Sequence, residues 1–203
     1  MIFLFDCFGV VVDWKSEYVM PLWAKYANMS VDEFKRQCTP DQHLCESGQI
    51  SQEELWLRWE EKFRVSGAGF EHLHLETMKG KARLNDYVVS IVGSLPSKCL
   101  FSNQMPVSAD FCRQRGWFSH FDRLFLSFEL NYLKPDPRAY YAVLKELGAR
   151  PSDVVFIDDK KENVESAVKC GMNGIVFSNA IQLRSDLEKL YNVKISVKRH
   201  DIA

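Results

Sequence analysis

The sequence lacks an excess of one charge, internal repeats and long apolar runs. Its 26 Lys and Arg residues nearly balance its 27 Asp and Glu residues, so the formal net charge is −1. A chain without a basic excess has no general attraction for nucleic acid or for an anionic membrane, and we predict neither as a partner. No eighteen consecutive residues are apolar, which argues against a membrane-spanning helix.

Cysteine is present, but not in a pattern that predicts a disulfide framework or a zinc site. The six cysteines are scattered and include no CxxC pair, as expected for reduced thiols. The apolar opening, residues 1–5, has no basic residues before it and is broken by Asp6, so no secretory signal is expected. We therefore predict a cytoplasmic protein.

The chain of 203 residues is long enough for one large domain or for a core with a modest insertion. Short, continuously apolar segments are typical of strands covered on both faces of a parallel sheet. These segments are 2–5, 99–101, 124–127, 154–157 and 175–177. Helical patterns follow the last four, at 108–115, 137–147, 163–170 and 181–190. This order predicts an α/β fold with a doubly wound parallel sheet.

Residues 14–83 interrupt this alternation and show helical patterns only. The helix signals are an apolar helical spacing over 15–26 and two capping boxes, Ser30 with Glu33 and Ser51 with Glu54. We predict that residues 1–13 and 84–203 form the α/β core, and that residues 14–83 form an inserted all-helical cap. Such an insertion acts either as a lid over a site or as a layer that only packs.

Polar residues follow four of the predicted strands: Asp6, Ser102, Lys134, and the pair Asp158 and Asp159. Each alone fits a turn or a helix cap. Together they would meet at the carboxyl edge of the sheet, where open α/β sheets bind ligands. Crowded carboxylates repel one another unless a cation shares the site, and Mg²⁺ prefers such oxygen ligands. Ser102 and Lys134 would then be left to hold phosphate oxygens.

These segments resemble the four motifs of the haloacid dehalogenase-like (HAD) hydrolases. The motif segments are 5–11, 100–103, 133–136 and 155–159, and the resemblance spans residues 1 to about 177 in the family's order. It is nearest to the group with the α-glucose-1-phosphatases and the phosphatase domain of soluble epoxide hydrolase. The resemblance implies a Rossmann-like core with a helical cap inserted after the first motif.

The resemblance also implies roles for the acidic residues. Asp6 would be the nucleophile and would form an aspartyl-phosphate. Mg²⁺ would be bound by Asp6, the backbone carbonyl of Phe8 and Asp159. We choose Asp159 because Asn163, four residues later, then matches the family's second polar position. Asp158 would be a neighbour of the metal site.

Ser102, the backbone N–H of Asn103 and Lys134 would stabilise the charge of the transferred phosphoryl group. The expected activity is that of a phosphoric monoester hydrolase, and the expected ligand is a small phosphorylated metabolite. Both a monomer and a homodimer are compatible with the sequence. Trp14, Tyr18 and the segment 46–49 are the predicted substrate-lining positions of the cap.

One residue departs from the family pattern. Phosphatases of this family usually carry an Asp two residues after the nucleophile, where it acts as general acid and base, but this chain has Phe8. Because such assistance is worth about 10²–10⁴-fold, we expect a slow enzyme or one restricted to good leaving groups. Alternatively, Asp13 or a cap carboxylate such as Glu46 supplies the proton. Asp13 is also interpreted as the cap of the following helix.

Two further interpretations stay open. An aromatic residue two positions after the nucleophile also resembles the metal-independent haloacid dehalogenases, in which the same Asp displaces halide from carbon. Their fourth motif has small polar residues instead of an acidic pair, so Asp158 and Asp159 favour phosphoryl transfer. A chain with the fold but little turnover, which binds phosphate or a partner, is the other alternative.

Overall fold

Five parallel strands form the central sheet, which confirms the predicted fold class. The computed structural model describes residues 1–196. Strands in this part of the chain are β1 (Ile2–Phe5), β2 (Val12–Asp13), β3 (Arg83–Leu84), β4 (Lys98–Ser102), β5 (Arg123–Leu126), β6 (Val154–Asp158) and β7 (Asn173–Val176). The main sheet has the order β5-β4-β1-β6-β7, and every neighbouring pair is parallel. Each of the five predicted strands is observed, with ends shifted by at most two residues.

The α-helices within residues 1–196 are α1 (Met20–Tyr26), α2 (Val31–Glu46), α3 (Gln52–Phe63), α4 (Gly67–Lys81), α5 (Asp86–Gly93), α6 (Pro106–Gln114), α7 (Ser127–Leu130), α8 (Pro137–Leu147), α9 (Lys161–Lys169) and α10 (Ala180–Tyr191). None of these helices is long and apolar enough to cross a membrane. The four helices predicted after the strands are all present. Helices α5 and α7 had no counterpart in the predictions.

The sheet is covered on both faces, as its apolar strands require. Alternate residues of β1 enter different cores: Phe3 and Phe5 belong to one buried cluster and Leu4 to the other. Residues of α5, α6 and α10 complete the first cluster, and residues of α8 and α9 complete the second. Successive side chains of a strand point to opposite faces, so a strand buried on both sides needs apolar residues throughout.

Helices α1–α4 lie between β2 and β3, inside the segment predicted to be helical. Ser30 Oγ accepts the backbone N–H of Glu33 at 3.2 Å, and Ser51 Oγ accepts that of Glu54 at 3.1 Å. Both predicted helix starts are thereby confirmed. The helix expected over 15–26 is instead a short 3₁₀ turn followed by α1, because Pro21 is favourable only in a first helical turn.

An aromatic cluster holds these helices together. Trp23 is 1% exposed, and its indole N–H donates to the carbonyl oxygen of Phe70 at 2.8 Å. Its ring meets Trp59 edge to face, with centroids 5.2 Å apart, and Phe34 packs beside both. Edge-to-face pairs stabilise such a core beyond the burial of their area. This aromatic cluster is continuous with the core on one face of the sheet, since Trp23, Phe34 and Trp59 belong to the same buried cluster as Phe3.

Polar contacts connect the helical segment to the sheet. His74 of α4 lies 2.9 Å from Ser108 Oγ of α6, and both side chains are buried. Burial lowers the pKa of His74 to about 3, so the ring is neutral at physiological pH. The side-chain oxygen of Gln52 accepts the backbone N–H of Val107 at the start of α6. These contacts place the helices against the edge of the sheet that carries the polar motif residues.

Candidate active site

Three carboxyl groups meet at the carboxyl edge of the central strands. Asp6 follows β1, Asp158 ends β6, and Asp159 is the next residue. Their ligand oxygens all lie within 4.8 Å of one another. The cause is the topology, since β1 and β6 are parallel neighbours and their ends coincide. The structure therefore brings together the acidic residues that the sequence placed at separate strand ends.

Lys134, in the loop before α8, inserts its ammonium group among these carboxylates. Its Nζ lies 2.8 Å from Asp6 Oδ1 and 2.7 Å from Asp158 Oδ2, and it donates to the carbonyl oxygen of Phe101 at 3.0 Å. The side chain is almost completely buried. An ammonium group has three protons, and three protein acceptors surround this one. Its first role in the structure is to hold the carboxylates together.

Asn103 fixes the loop that carries Lys134. Its side-chain amide donates to the Lys134 carbonyl oxygen at 2.8 Å and accepts the Lys134 backbone N–H at 2.9 Å. The sequence indicated a role for the backbone N–H of Asn103, but it did not reveal this contact of the side chain. Residues 31 positions apart form it, so no local pattern predicts it.

Asp158 is buried and accepts several hydrogen bonds, whereas the side chain of Asp159 is exposed to solvent. Asp158 accepts from the Lys160 backbone N–H at 2.8 Å and from the side-chain amide of Asn163, in addition to its contact with Lys134. The sequence had associated Asn163 with Asp159. The structure pairs it with Asp158 instead, because the first turn of α9 returns toward the end of β6. Asp159 is left as the carboxylate that is accessible from solvent.

The loop after β1 passes very close to Asp159. Gly9 has a φ of +89°, and a Cβ at this position would lie 2.5 Å from Asp159 Oδ2. Only glycine adopts such a conformation readily and leaves the space free. The backbone of residues 8 and 9 therefore approaches the acidic cluster closely.

Burial and mutual repulsion perturb these groups strongly. Burial, together with the charges of Asp158 and Asp159, raises the pKa of Asp6 to about 7 against the opposing effect of Lys134. Burial alone would lower the pKa of Lys134, but the nearby Asp6 and Asp158 outweigh it and the pKa is raised. Partial burial and Asp158 raise the pKa of Asp159. Such clustered shifts are typical of functional sites.

The donor set fits a divalent cation. Three carboxylates against one ammonium group leave two negative charges in excess when all are ionised. All available oxygens are hard ligands of the kind that Mg²⁺ prefers. A buried carboxylate cluster with unbalanced charge is unfavourable, and a divalent cation would remove that imbalance.

Two buried polar side chains beside the cluster lack protein partners. Ser102 Oγ, at the end of β4, is fully buried and has no hydrogen bond among the described residues. Both amide atoms of Gln104 are in the same situation. Because unpaired buried polar atoms are costly, a polar ligand or a water molecule that contacts them would be stabilising. Gln104 was missed from sequence, although it follows the predicted pair Ser102 and Asn103 directly.

Phe8 and Asp13 both contact aromatic side chains that follow them in the sequence. The Phe8 ring packs against Trp14, with centroids 6.5 Å apart. Trp14, predicted to line the substrate, is only 6% exposed and also contacts Tyr18 and His74. Asp13 is exposed at the end of β2, and the expected helix cap is wrong: the following 3₁₀ turn begins after residue 15 without a side-chain cap. The Asp13 carboxylate lies 3.5 Å from the Tyr18 hydroxyl.

The amino-acid sequence matches a family model and several curated proteins. The model for haloacid dehalogenase-like hydrolases matches residues 1–171. Flavin mononucleotide hydrolase 1 of Arabidopsis thaliana is 44% identical over 66 residues, which are 32% of this chain and 26% of that protein. Bifunctional epoxide hydrolase 2 of Mus musculus is 38% identical over 71 residues, 35% of this chain and 13% of that protein. These matches cover well under two thirds of either relative.

The fold is also found in a solved structure. A HAD-family enzyme of Bacteroides thetaiotaomicron, solved in complex with magnesium and inorganic phosphate, superposes with a TM-score of 0.73 at 21% identity. The alignment covers 87% of this chain and 93% of that one. At this identity the likeness establishes the shared fold.

Proposed function

The chain belongs to the haloacid dehalogenase-like hydrolases, and from this premise we propose that it is a Mg²⁺-dependent phosphatase acting on a small phosphomonoester. The observation that carries the proposal is the cluster of Asp6, Asp158 and Asp159 around the buried Lys134. The name of the Arabidopsis relative describes hydrolysis of a phosphomonoester, and the Bacteroides enzyme was crystallised with magnesium and phosphate. Both support phosphoryl transfer as the reaction.

Asp6 is the proposed nucleophile. Its Oδ1 accepts the Cys7 backbone N–H at 2.8 Å and contacts Lys134, whereas Oδ2 has no hydrogen bond among the described residues. One carboxylate oxygen is thereby fixed and the other is free to attack phosphorus. Attack forms an aspartyl-phosphate and breaks the bond from phosphorus to the leaving group. Water then hydrolyses the intermediate and restores Asp6.

The remaining residues bind and orient the phosphoryl group. Ser102 Oγ and the Asn103 backbone N–H are proposed to donate to its oxygens. Lys134 holds Asp6 in position and adds positive charge beside it. A Mg²⁺ ion held by Asp6, the Phe8 carbonyl oxygen and Asp159 would neutralise charge on the transferred group.

We also propose that the chain divides as its sequence indicates. Residues 1–13 and 84–203 would form the core that carries the chemistry, and the helices of residues 14–83 would form a cap that selects the substrate. The aromatic cluster within α1–α4 and their polar contacts with the sheet domain support this division. Residues 197–203 lie outside the part of the chain that the structure describes.

The proposal predicts phosphate release that depends on the metal. A panel of phosphomonoesters is incubated with Mg²⁺, and in parallel with EDTA. We expect turnover of at least one ester with Mg²⁺ and its loss with EDTA, followed by recovery when excess Mg²⁺ is restored. Equal release in EDTA would contradict the metal requirement. Halide release from 2-haloacids, with no phosphate release, would instead support the dehalogenase interpretation.

Replacing Phe8 by Asp tests the missing acid. We expect Phe8→Asp to raise kcat/KM on an alkyl phosphate roughly tenfold, and much less on 4-nitrophenyl phosphate, because only the alkyl leaving group needs a proton. Phe8→Asn is the matched control, since it has a similar size and polarity but no titratable group. Equal gains on both esters, or an equal gain in Phe8→Asn, would show that the effect of the substitution does not come from a proton-donating group at position 8.

A further inference from the structure

An aromatic side chain begins directly beside the carboxylate cluster, at Phe8. The Cys7 backbone N–H donates to Asp6 Oδ1 at 2.8 Å, and a Cβ on Gly9 would lie 2.5 Å from Asp159 Oδ2. Phe8 lies between these two contacts, and consecutive Cα atoms are about 3.8 Å apart. Its side chain therefore leaves the backbone next to the proposed nucleophile. The residue is half-buried, so it remains partly accessible from solvent.

Phe8 is the first of three aromatic side chains in contact, Phe8, Trp14 and Tyr18, which we call the aromatic wall. The centroid of the Trp14 ring lies 6.5 Å from that of Phe8 and 5.8 Å from that of Tyr18. Trp14 is buried, whereas Phe8 and Tyr18 are half-buried. The His74 ring of α4 packs on Trp14 as well, with centroids 5.5 Å apart. The aromatic wall thus leads from the carboxylate cluster toward the helical segment.

The aromatic wall has the chemistry of a site for a planar apolar group. Aromatic rings attract one another in offset-stacked and edge-to-face arrangements, beyond the gain from buried area. Phe8 offers a ligand only ring surface, because its side chain has no hydrogen-bonding group. A polar contact occurs at Tyr18, whose hydroxyl lies 3.5 Å from the exposed Asp13 carboxylate. The part of the wall beside Asp6 is therefore apolar.

The same position supplies no proton. Phe8 has no titratable group, and two other carboxyl groups were named from the sequence as replacements. Asp13 contacts the Tyr18 hydroxyl, and Glu46 accepts the side-chain amide of Gln42, on its own helix, at 2.8 Å. Within residues 1–196, no hydrogen bond connects either carboxyl to the carboxylate cluster. A substrate whose leaving group needs no proton fits this arrangement best.

Both properties of position 8 favour the same kind of ester. An alkanol is about as weak an acid as water, whose pKa is about 15.7, so its alkoxide leaves poorly unless it is protonated. A phenol has a pKa of about 10, as in a tyrosine side chain, and its phenoxide departs far more readily. A phenyl ester also places an aromatic ring directly on the bridging oxygen. An aliphatic leaving group would cover the apolar surface but would still lack its proton.

We propose that the substrate is an aryl phosphomonoester whose ring packs on the aromatic wall while its phosphate lies at Asp6. This inference rests on the proposed phosphatase function and names its substrate class. In the first step Asp6 Oδ2 bonds to phosphorus and the bond from phosphorus to the aryl oxygen breaks. The phenoxide leaves with the electron pair and takes a proton from solvent. Water then attacks phosphorus, the bond to Asp6 breaks, and inorganic phosphate leaves as one proton of the water returns to solvent.

Four substrates separate the effect of the ring from that of the leaving group. Phenyl phosphate has a ring and a good leaving group, and benzyl phosphate has a ring but leaves as an alkoxide. Acetyl phosphate has a good leaving group without a ring, and propyl phosphate has neither. The value of kcat/KM in Mg²⁺ reports the first step, in which the leaving group departs. For the wild type we expect phenyl to exceed benzyl phosphate by about 10²-fold or more, and benzyl to exceed propyl phosphate by about threefold to tenfold.

Phe8→Leu removes a ring from the aromatic wall without adding an acid. We expect the phenyl-to-acetyl and benzyl-to-propyl ratios of kcat/KM each to fall about threefold to tenfold, because only the substrates with a ring lose a contact. Tyr18→Leu should shift both ratios in the same direction, and it takes the place of Phe8→Leu if that variant does not fold. Tyr141→Leu is the matched control, since Tyr141 is 54% exposed on α8, and it should keep both ratios.

Phosphonates test the recognition of the ring apart from turnover. Their carbon–phosphorus bond is not hydrolysed, so no leaving group departs. In Mg²⁺ we expect phenylphosphonate to bind the wild type about threefold to tenfold more tightly than propylphosphonate, measured by calorimetry. In Phe8→Leu the two dissociation constants should become nearly equal. Tyr141→Leu should retain the wild-type preference.

The contrary outcomes point to different errors. If the wild type cleaves propyl or benzyl phosphate as well as phenyl phosphate, the aryl assignment is overturned while the phosphatase proposal stands. Equal losses on all four substrates in Phe8→Leu, with the preference for phenylphosphonate retained, would mean that Phe8 only packs and would also overturn the assignment. If phosphate is released in Mg²⁺ neither from these four compounds nor from the wider panel of phosphomonoesters, the proposed function itself fails, and the aryl assignment fails with it.

Discussion

Asp6→Asn is expected to abolish turnover and leave the protein folded. An amide cannot attack phosphorus as a carboxylate does, so kcat should fall at least ~10⁴-fold. Stability should hardly change, because Lys134 keeps its contact with Asp158 and the repulsion between Asp6 and the other carboxylates disappears. The measurements are phosphate release with Mg²⁺ and the thermal midpoint of unfolding.

Asp32→Asn is the control for this substitution, since Asp32 is exposed on α2. It should retain full activity and the same thermal midpoint. Turnover of Asp6→Asn at more than a small fraction of the wild-type rate would remove Asp6 from the mechanism. A large fall in its midpoint would mean that the Asp6 carboxylate is chiefly structural, and that lost activity reports unfolding.

Lys134→Ala is expected to have the largest effect on stability. The substitution removes the ammonium group that lies between Asp6 and Asp158 and leaves both carboxylates without it in a buried site. Breaking a buried ion pair by removal of one partner costs about 3–5 kcal/mol. The free energy of unfolding, measured by urea denaturation, should fall by about that amount. Binding of inorganic phosphate, measured by calorimetry in Mg²⁺, should weaken in parallel.

Lys145→Ala provides the comparison, because Lys145 is exposed on α8. It should change neither the free energy of unfolding nor phosphate binding. Unaltered phosphate affinity in folded Lys134→Ala would limit Lys134 to holding the carboxylates. If the free energy of unfolding of Lys134→Ala equals that of the wild type, the ammonium group does not stabilise the buried carboxylates. That result would contradict the role inferred from its contacts with Asp6 and Asp158.

Much of the fold could be predicted because the strands are short and apolar throughout. Residues of β1 and β6 are buried on both faces, and their short length together with the turn residues that follow distinguishes such apolar segments from helices. The start of α2 was predictable for a different reason, since Ser30 and Glu33 form a local contact. Helices α4 and α5 were harder to place, because neither begins with the Ser-x-x-Glu capping box that marks the starts of α2 and α3.

The two short strands β2 and β3 could not be predicted. Val12 pairs with Leu84, and the 71 residues between them include all of α1–α4. A two-residue strand has too little pattern to be recognised on its own. The burial of Trp14 could not be predicted for a similar reason. It depends on contacts with Phe8 and with His74 of α4, which come together only in the folded chain.

The sequence by itself determined the order of the elements and the types of polar group that follow the strands. Local apolar runs specify strands, and the polar residues that follow them specify oxygen and nitrogen ligands. Comparison with the family pattern also predicts a departure at Phe8, because that position is defined by its distance from Asp6. These features are local, so they are readable along the chain.

Only the tertiary structure decided which groups touch. It assigned Asn163 to Asp158, placed Lys134 among the carboxylates, and joined Glu46 to the start of α7. The contacts of Lys134 and Glu46 depend on the relative positions of elements far apart in sequence, and the Asn163 contact depends on how the chain turns from β6 into α9. A shift of a few ångströms would break any of them. Hydrogen bonds and buried ion pairs act over short distances. Which side chains form them therefore depends on the packing of the elements and not on residue type alone.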